Sequence, residues 1–366
     1  MTFRNVSRYR DMHEKTSARH FRQLFDVTSY NHLALTTVLP AQSPKIGAID
    51  GTVVSKSGKR TYGRDHFYHS RHDRPERCLE FSELAVVDVD DGTADHLSME
   101  HTPDTATLTK ILGPEGTRID WSLSHLWREG SLFPPEVGYL AADGDYAKQK
   151  FVDGVREFGV HLISTLRHDA NLRDLYAGPQ QRRGRPKRDD GKITLTDLRR
   201  LTPLPLSDDL TLSTAVVNSV SLHRNIRLVS VCQRHGKKLL TALLFSTDPT
   251  LAAEAIYRYY TARFQIEFLV RDAKQCTGLA DVQVRSQRRI EFHVNAAMTA
   301  LNFLNLEDRQ MVPDDEEHVI SIHSWKLRKF NEHQLERVIS TFGLDQSDIK
   351  LHPHYEDLIN YGAIAA

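Results

Sequence analysis

The chain has 366 residues, 40% hydrophobic and 26% charged, with 48 basic and 48 acidic side chains that cancel to zero net charge. This is enough apolar material for a sizeable core in two or three domains, and the balance excludes a uniformly basic nucleic-acid coat while allowing local basic patches. Cys78, Cys232 and Cys276 are scattered and form no CxxC pair, which points to a reducing cytosol and away from a disulfide framework or a cysteine zinc site. No stretch reaches 18 consecutive apolar residues and MTFRNVSRYR has no apolar signal core, so a cytoplasmic chain without membrane span or export signal is expected.

Residues 1–39 are polar and basic. They read as two short helices, Ser7–Arg10 and Glu14–Phe25, with Lys15, Arg19, His20 and Arg22 on the second, a pattern open to a helix-turn-helix-like DNA-binding segment or to a bundle piece packed on the main domain. The abrupt start leaves room for a further helical region upstream. Pro40–Pro44 reads as a linker. KIGAID, 45–50, reads as a short buried strand ending in a carboxylate, followed by a Lys-rich polar loop. FSELAVVD, 81–88, is a second strand, Asp90-Asp91-Gly92 a turn, and Ala94–Met99 a third strand. Helix Thr117–Arg128, strand VGYLAAD (137–143), helix Tyr146–Phe158 and strand Val160–Leu166 follow. The order β-β-β-α-β-α-β is that of an RNase H-like α/β fold, a mixed sheet flanked by helices, with its first part at 40–167.

Residues 168–250 break this order. QQRRGRPKR, 180–188, is a basic loop, and strand-like runs follow at Leu210–Leu222, Arg227–Gln233 and Lys238–Ser246. They read as a β-rich insertion. The core resumes at 251–310 with a long helix containing Tyr260–Lys274 and another at Gln287–Leu304. Residues 311–366 form a small helical C-terminal segment, with an acidic loop at 313–318 and a helix at Trp325–Phe342.

Within YTARFQIEFLVRDAK, Tyr260, Arg263, Glu267, Arg271 and Lys274 step by three and four residues and share one face of a continuous helix. Phe264, Phe268 and Leu269 fall on another face and are expected in the core. One carboxylate among three cations and a phenol suits a metal ion beside phosphates, although an ion-pair ladder has the same spacing. Asp50 and Asp143 decide between these, because both close predicted buried strands, and strand ends of an α/β sheet form the crevice where ligands bind. Three converging carboxylates repel one another unless divalent cations join them.

On these residues the chain resembles the DDE transposases of bacterial insertion sequences of the insertion sequence 4 type. AIDGT with Asp50, AADGDY with Asp143, and Y-x2-R-x3-E-x6-K filled by Tyr260, Arg263, Glu267 and Lys274 carry the match, over about residues 40–305. The resemblance implies that Asp50, Asp143 and Glu267 hold two Mg²⁺ ions, with Mn²⁺ able to substitute. It implies that Tyr260, Arg263 and Lys274 contact phosphates at the transposon end. The implied activity is cut-and-paste transposition, in which water cleaves the strand at the element's end and the freed 3′-hydroxyl attacks target DNA. The implied partners are double-stranded DNA, as terminal inverted repeats and target, and a second copy of the chain in a synaptic homodimer. A transposase-derived DNA-binding protein and another RNase H-like nuclease share the same residues less well.

Three further features stand outside the signature. Arg183-Gly184-Arg185-Pro186, with Lys187 beside it, has the composition of an arm lying in a minor groove, and as a plain basic loop it would still touch phosphates. His66, His69 and His72 repeat every third residue but have no Cys or acidic partners at ligand spacing, so zinc is not expected. The tryptophans, Trp121, Trp127 and Trp325, all lie outside 168–250, which leaves Tyr176 or Phe245 as the insertion's candidates for stacking a flipped base.

Overall fold

The computed structural model describes residues 13–23, 25–40, 42–69, 72–180, 182–193, 200–236, 238–311 and 322–362. Two compact units are present, one formed by Ala41–Phe268 and the other by Met1–Pro40 with Leu269–Ala366.

The first unit is built on a large mixed sheet. Strands β1 (Lys45–Ser55), β2 (Asp65–His69), β3 (Arg74–Asp88) and β4 (Thr93–Thr102) are antiparallel neighbours, with β1 along one edge of β3 and β2 and β4 sharing the other. After helices α3 (Thr105–Leu112) and α4 (Arg118–Glu129), β5 (Tyr139–Ala142) joins β1 in parallel, and after α5 (Gln149–Phe158), β6 (His161–Leu166) joins β5 in parallel. The resulting order β4-β3-β1-β5-β6 is the RNase H-like arrangement expected from the element order. Continuous burial from Phe81 through Asp88 fits a strand covered on both faces.

Local chemistry starts and stops these helices. Thr117 and Asp120 form a reciprocal capping box at the start of α4. Gly159 ends α5 with φ 108°, a left-handed conformation that glycine adopts without a Cβ clash. Helix α4 lies on one face of the sheet, where His125 reaches Ser82 and Ser98. On the opposite face Ala253 and Ile256 of α6 (Ala253–Ala262) pack against Ile163, Val229, Val231 and Leu244.

The insertion continues the same sheet. Strand β12 (Lys238–Ser246) pairs antiparallel with β6, Leu243 opposite Leu166, and β11 (Arg224–His235) and β10 (Leu210–Ser219) follow outward. Short strands β7 (Leu172–Leu175), β8 (Asp189–Lys192) and β9 (Thr202–Pro205) complete the far end. Adding strands at β6 pairs backbone groups that an edge strand would leave open. The sequence reading missed these short strands, because TPLP and DDGK lack the β-branched alternation that signals a strand. It also missed β2 and α3.

The second unit is helical: α1 (Glu14–His20) and α2 (Val27–Val38) from the N-terminal stretch, with α8 (Gln287–Met311), α9 (Ile322–Phe342), α10 (Gln346–Lys350) and α11 (Tyr355–Ile359) from the C-terminal segment. Helix α2 meets α8 through Asn31 and Asn302, 3.4 Å apart, and through the rings of Tyr30 and Phe303. Asn331 of α9 donates to the carbonyls of Ile359 and Tyr361. Of the expected N-terminal helix pair, Ser7–Arg10 lies outside the described residues, and the second helix stops at His20 with no buried residue. The acidic segment 313–318 also lies outside the described residues. Among the described residues, no helix is long and apolar enough to cross a membrane.

Candidate active site

Register places the two aspartates. Strands β1 and β5 run parallel with Ala48 beside Ala141 and Ile49 beside Ala142. Asp50 and Asp143, one residue further along each chain, therefore emerge side by side, about 5 Å apart at the backbone. Side chains alternate along a strand, so Asp50 and Asp143 share the face of Ala48 and Ala141. Ile163, beside Ala141, packs against α6, so this is the α6 face.

The strand reading of Asp50 requires a correction. Asp50 does not terminate its strand, because β1 continues to Ser55 along β3. The parallel pairing with β5 is what ends at Ile49, one residue before Asp50. Asp143 does follow its strand directly and caps a short 3₁₀ turn, Gly144–Tyr146, by accepting from the Asp145 N–H at 3.0 Å. Ser164 Oγ donates to the Asp143 carbonyl at 2.6 Å, and Tyr146 is buried at the end of the turn that Asp143 caps. Neither Ser164 nor Tyr146 was singled out from the sequence, although Tyr146 lies within the AADGDY segment.

The continuous helix expected over Tyr260–Lys274 is a second correction. Helix α6 ends at Ala262, Arg263 and Phe264 form a turn, and α7 (Gln265–Asp272) starts afresh before a π-helical turn over Ala273–Thr277. The break changes which faces are buried. Phe264 and Phe268 are 42% and 45% exposed, whereas Leu269 is in the core. Arg263 is the inward residue of the turn, its side chain 4% exposed. Its Nη2 donates to Glu267 Oε1 at 2.9 Å and its Nη1 lies 3.6 Å from Asp50 Oδ2. The guanidinium carbon also lies 4.6 Å from the Phe264 ring centroid and 5.5 Å from that of Tyr260.

Electrostatics follow from this crowding. Burial, reinforced by Asp143 and Glu267 and opposed by Arg263, pushes the Asp50 carboxyl up to about 7. Burial and the neighbouring Asp145 raise Asp143 in the same direction. Burial works against the charge of Arg263, but Asp50, Tyr260 and Glu267 hold it above the ordinary arginine range. Carboxylates displaced upward in a crevice are what burial and like charge produce at functional sites.

The other sequence candidates are distributed as follows. Lys274 stands in the π-helical turn, within the second unit, and Arg271 pairs with Asp272 at 2.9 Å. In the basic loop Gln180 bonds both the N–H and the carbonyl of Lys187, and Lys187 Nζ lies over the Tyr176 ring and 2.5 Å from Asp190. This closes the loop at its base and leaves Arg183 and Arg185 exposed around Gly184, whose φ is 105°. Phe245 is fully buried and cannot stack a base. His72 pairs with Glu76 and His66 lies 2.9 Å from Arg77 Nε.

Fold and site together define an RNase H-like domain that carries carboxylates and a buried arginine where its parallel strands end. The chain belongs to the transposase DDE domain family, which matches residues 41–303. That membership makes transposase- or nuclease-type action on DNA its class of activity. No curated protein matches the chain significantly. Among solved structures, the chain is similar to Ciona intestinalis endonuclease V in complex with a 24mer DNA containing an inosine followed by a ribo-adenosine. The identity is 10%, the coverage 75% of this chain and 96% of that one, and the TM-score 0.26. A point variant of that enzyme with a 23mer gives 10% identity, coverage of 77% and 100%, and a TM-score of 0.26. At that TM-score the likeness adds nothing to the reading of the site.

Proposed function

We propose that the protein is a cut-and-paste DNA transposase of the insertion sequence 4 type. The single observation that carries this reading is the emergence of Asp50 and Asp143 side by side on the α6 face, with Arg263 turned in toward Asp50. The donor set suits a hard divalent cation, since Mg²⁺ takes one or two carboxylates and completes its shell with water and phosphate oxygens. Asp50 and Asp143 would hold it, with Glu267 as the third ligand of a two-ion site. Bound there, Mg²⁺ would polarise the phosphoryl oxygen and make water or a 3′-hydroxyl a competent nucleophile.

The chain's own residues supply positioning. Arg263 offers a planar fork, Nε with Nη2, suited to two oxygens of one phosphate, and among the described residues its buried Nε and Nη1 have no hydrogen-bond partner. Tyr260 flanks that fork, and Lys274, eleven residues after Arg263, adds a point charge for a neighbouring phosphate. Arg183, Arg185 and Lys187 reach DNA away from the cleaved bond, with Lys187 holding the loop and the two arginines entering the groove. Cleavage at the element's end frees a 3′-hydroxyl, and the same site directs it onto target DNA, with two copies of the chain synapsing the two ends. No covalent link between protein and DNA forms.

The test is cleavage and joining of a duplex bearing the element's end, in Mg²⁺ or Mn²⁺. Strand cleavage followed by joining to a target duplex is expected. Cleavage without joining would favour another RNase H-like nuclease, and binding without cleavage a transposase-derived DNA-binding protein. Retention of cleavage by Asp50→Asn, Asp143→Asn and Glu267→Gln would overturn the mechanism.

A further inference from the structure

Asp50, Asp143 and Glu267 do not meet. Among the described residues, no group of three His, Cys, Asp or Glu side chains stands close enough to hold a metal ion. The reason is visible at Arg263. Its guanidinium, one helical turn before Glu267, binds Glu267 Oε1 at 2.9 Å and faces Asp50 at 3.6 Å. The positive charge between these two carboxylates is therefore the protein's own. Arg263 is nevertheless poorly used as a donor, because Nε and Nη1 are buried and have no hydrogen-bond partner among the described residues. Two buried N–H groups left open cost free energy that an incoming acceptor recovers. Glu267, by contrast, is half exposed, and among the described residues its side chain is tied by the hydrogen bond from Nη2.

We propose that Arg263 is a latch on the metal centre: it keeps Glu267 away from the Asp50–Asp143 pair until a DNA phosphate takes up the guanidinium, and only then does Glu267 complete the ligand set. The inference rests on reading the three carboxylates as metal ligands. The chemistry is a competition between cations. A guanidinium fixed between two carboxylates repels a divalent ion and withholds one of its ligands. A phosphate that engages Nε and Nη2 as a two-pronged acceptor neutralises that charge and displaces Glu267 from Nη2. DNA and metal must then strengthen each other's binding by the same factor, since coupling between two sites is reciprocal. The device would leave the protein incompletely loaded, and so unable to cut, when no DNA end is in place.

The experiment is a calorimetric titration of the full chain with Mn²⁺, with and without a short blunt-ended duplex, on wild type, Arg263→Gln, Arg263→Lys and Asp50→Asn. Wild type is expected to bind Mn²⁺ about 5- to 150-fold more tightly with the duplex present, the usual range for coupled sites. Arg263→Gln is expected to show a gain of similar size without DNA and no further gain with it. Arg263→Lys keeps the charge but loses the fork, and should stay within about twofold of wild type in the absence of DNA. Equal Mn²⁺ affinity of wild type with and without duplex overturns the latch, and this arm needs no variant to fold. Arg263→Gln binding Mn²⁺ no better than wild type, while Asp50→Asn has lost binding, overturns it as well and leaves the carboxylate metal centre standing. Undiminished Mn²⁺ binding by Asp50→Asn overturns the metal centre itself and the latch with it.

Discussion

Two clusters of titratable side chains sit on opposite faces of one sheet strip, and their difference separates architecture from chemistry. Under α4, His125 lies fully buried between the hydroxyls of Ser82 and Ser98, 3.1 Å from each. Burial lowers its pKa to about 3, so it stays neutral. On the α6 face, Asp50, Asp143, Arg263 and Glu267 are titratable neighbours with imperfect pairing. Asp50 is 22% exposed and Glu267 49%, so a ligand can reach both. The histidine cluster discharges its conflict by losing a proton and filling its hydrogen bonds. The carboxylate cluster retains the conflict within reach of solvent, which is the physical mark of a site awaiting something else.

The sharpest way to break this contrast is to neutralise the carboxylates. Asp50→Asn, Asp143→Asn and Glu267→Gln should each reduce DNA strand cleavage by about 10³-fold or more, since a lost metal ligand removes several kcal/mol of transition-state stabilisation. Thermal melting in EDTA should show each variant folded. A variant that cleaves normally would move its residue out of the site.

His125→Ala should do the reverse. It leaves two buried hydroxyls without their partner and opens a cavity, at a cost of about 2–4 kcal/mol in folding stability. Chemical denaturation reads this loss, and Mn²⁺ binding to the folded fraction should be unchanged. A His125→Ala protein as stable as wild type would contradict a structural role.

The pH dependence of stability sharpens the same side. His101 is lowered to about 4 by burial and His125 to about 3, against an ordinary value of 6.5. Between those values the unfolded chain binds the proton and the folded chain does not. Their contribution to stability is therefore full above pH 6.5 and falls as pH drops toward 4, with a slope approaching about 1.4 kcal/mol per pH unit for each histidine, while Asp50, held at about 7, contributes the opposite slope over the same range. Denaturation midpoints from pH 8 to 4.5 test this, and His101→Gln should flatten the fall by one histidine's share.

The smallest effect expected is at the basic loop. Arg183→Ala with Arg185→Ala should weaken binding of end-containing DNA and reduce the slope of log affinity against log salt by about 2, one per lost phosphate contact. Cleavage at saturating DNA should persist. Unchanged binding at physiological salt would make the loop an ordinary solvated turn.

Much of the fold was legible because its strands are short apolar runs punctuated by turns. KIGAID, FSELAVVD and VGYLAAD mark β1, β3 and β5, and Lys238–Ser246 was located with its observed ends. The β-rich insertion was recognised as strands, but its union with β6 was not, since pairing partners carry no mark in local sequence. The short strands β7, β8 and β9 escaped for want of alternation. At the site, Asp50 and Asp143 were legible as carboxylates closing apolar runs. The turn at Arg263–Phe264 was not, because neither residue is a helix breaker and the spacing on both sides remains helical. Phe264 and Phe268, expected in the core, lie exposed.

The sequence by itself determined the residue types and their order: two aspartates after apolar strands, then Tyr260, Arg263, Glu267 and Lys274 at helical intervals, and hence the transposase resemblance. These are local facts, set by covalent spacing and hydrophobic period. Tertiary structure alone decided that Ala48 lies beside Ala141, which brings Asp50 and Asp143 together across nearly a hundred residues. It alone decided that Arg263 turns inward between Asp50 and Glu267. Register and burial are properties of the whole packed sheet, and the charge balance of the site follows from them rather than from the spacing of its residues.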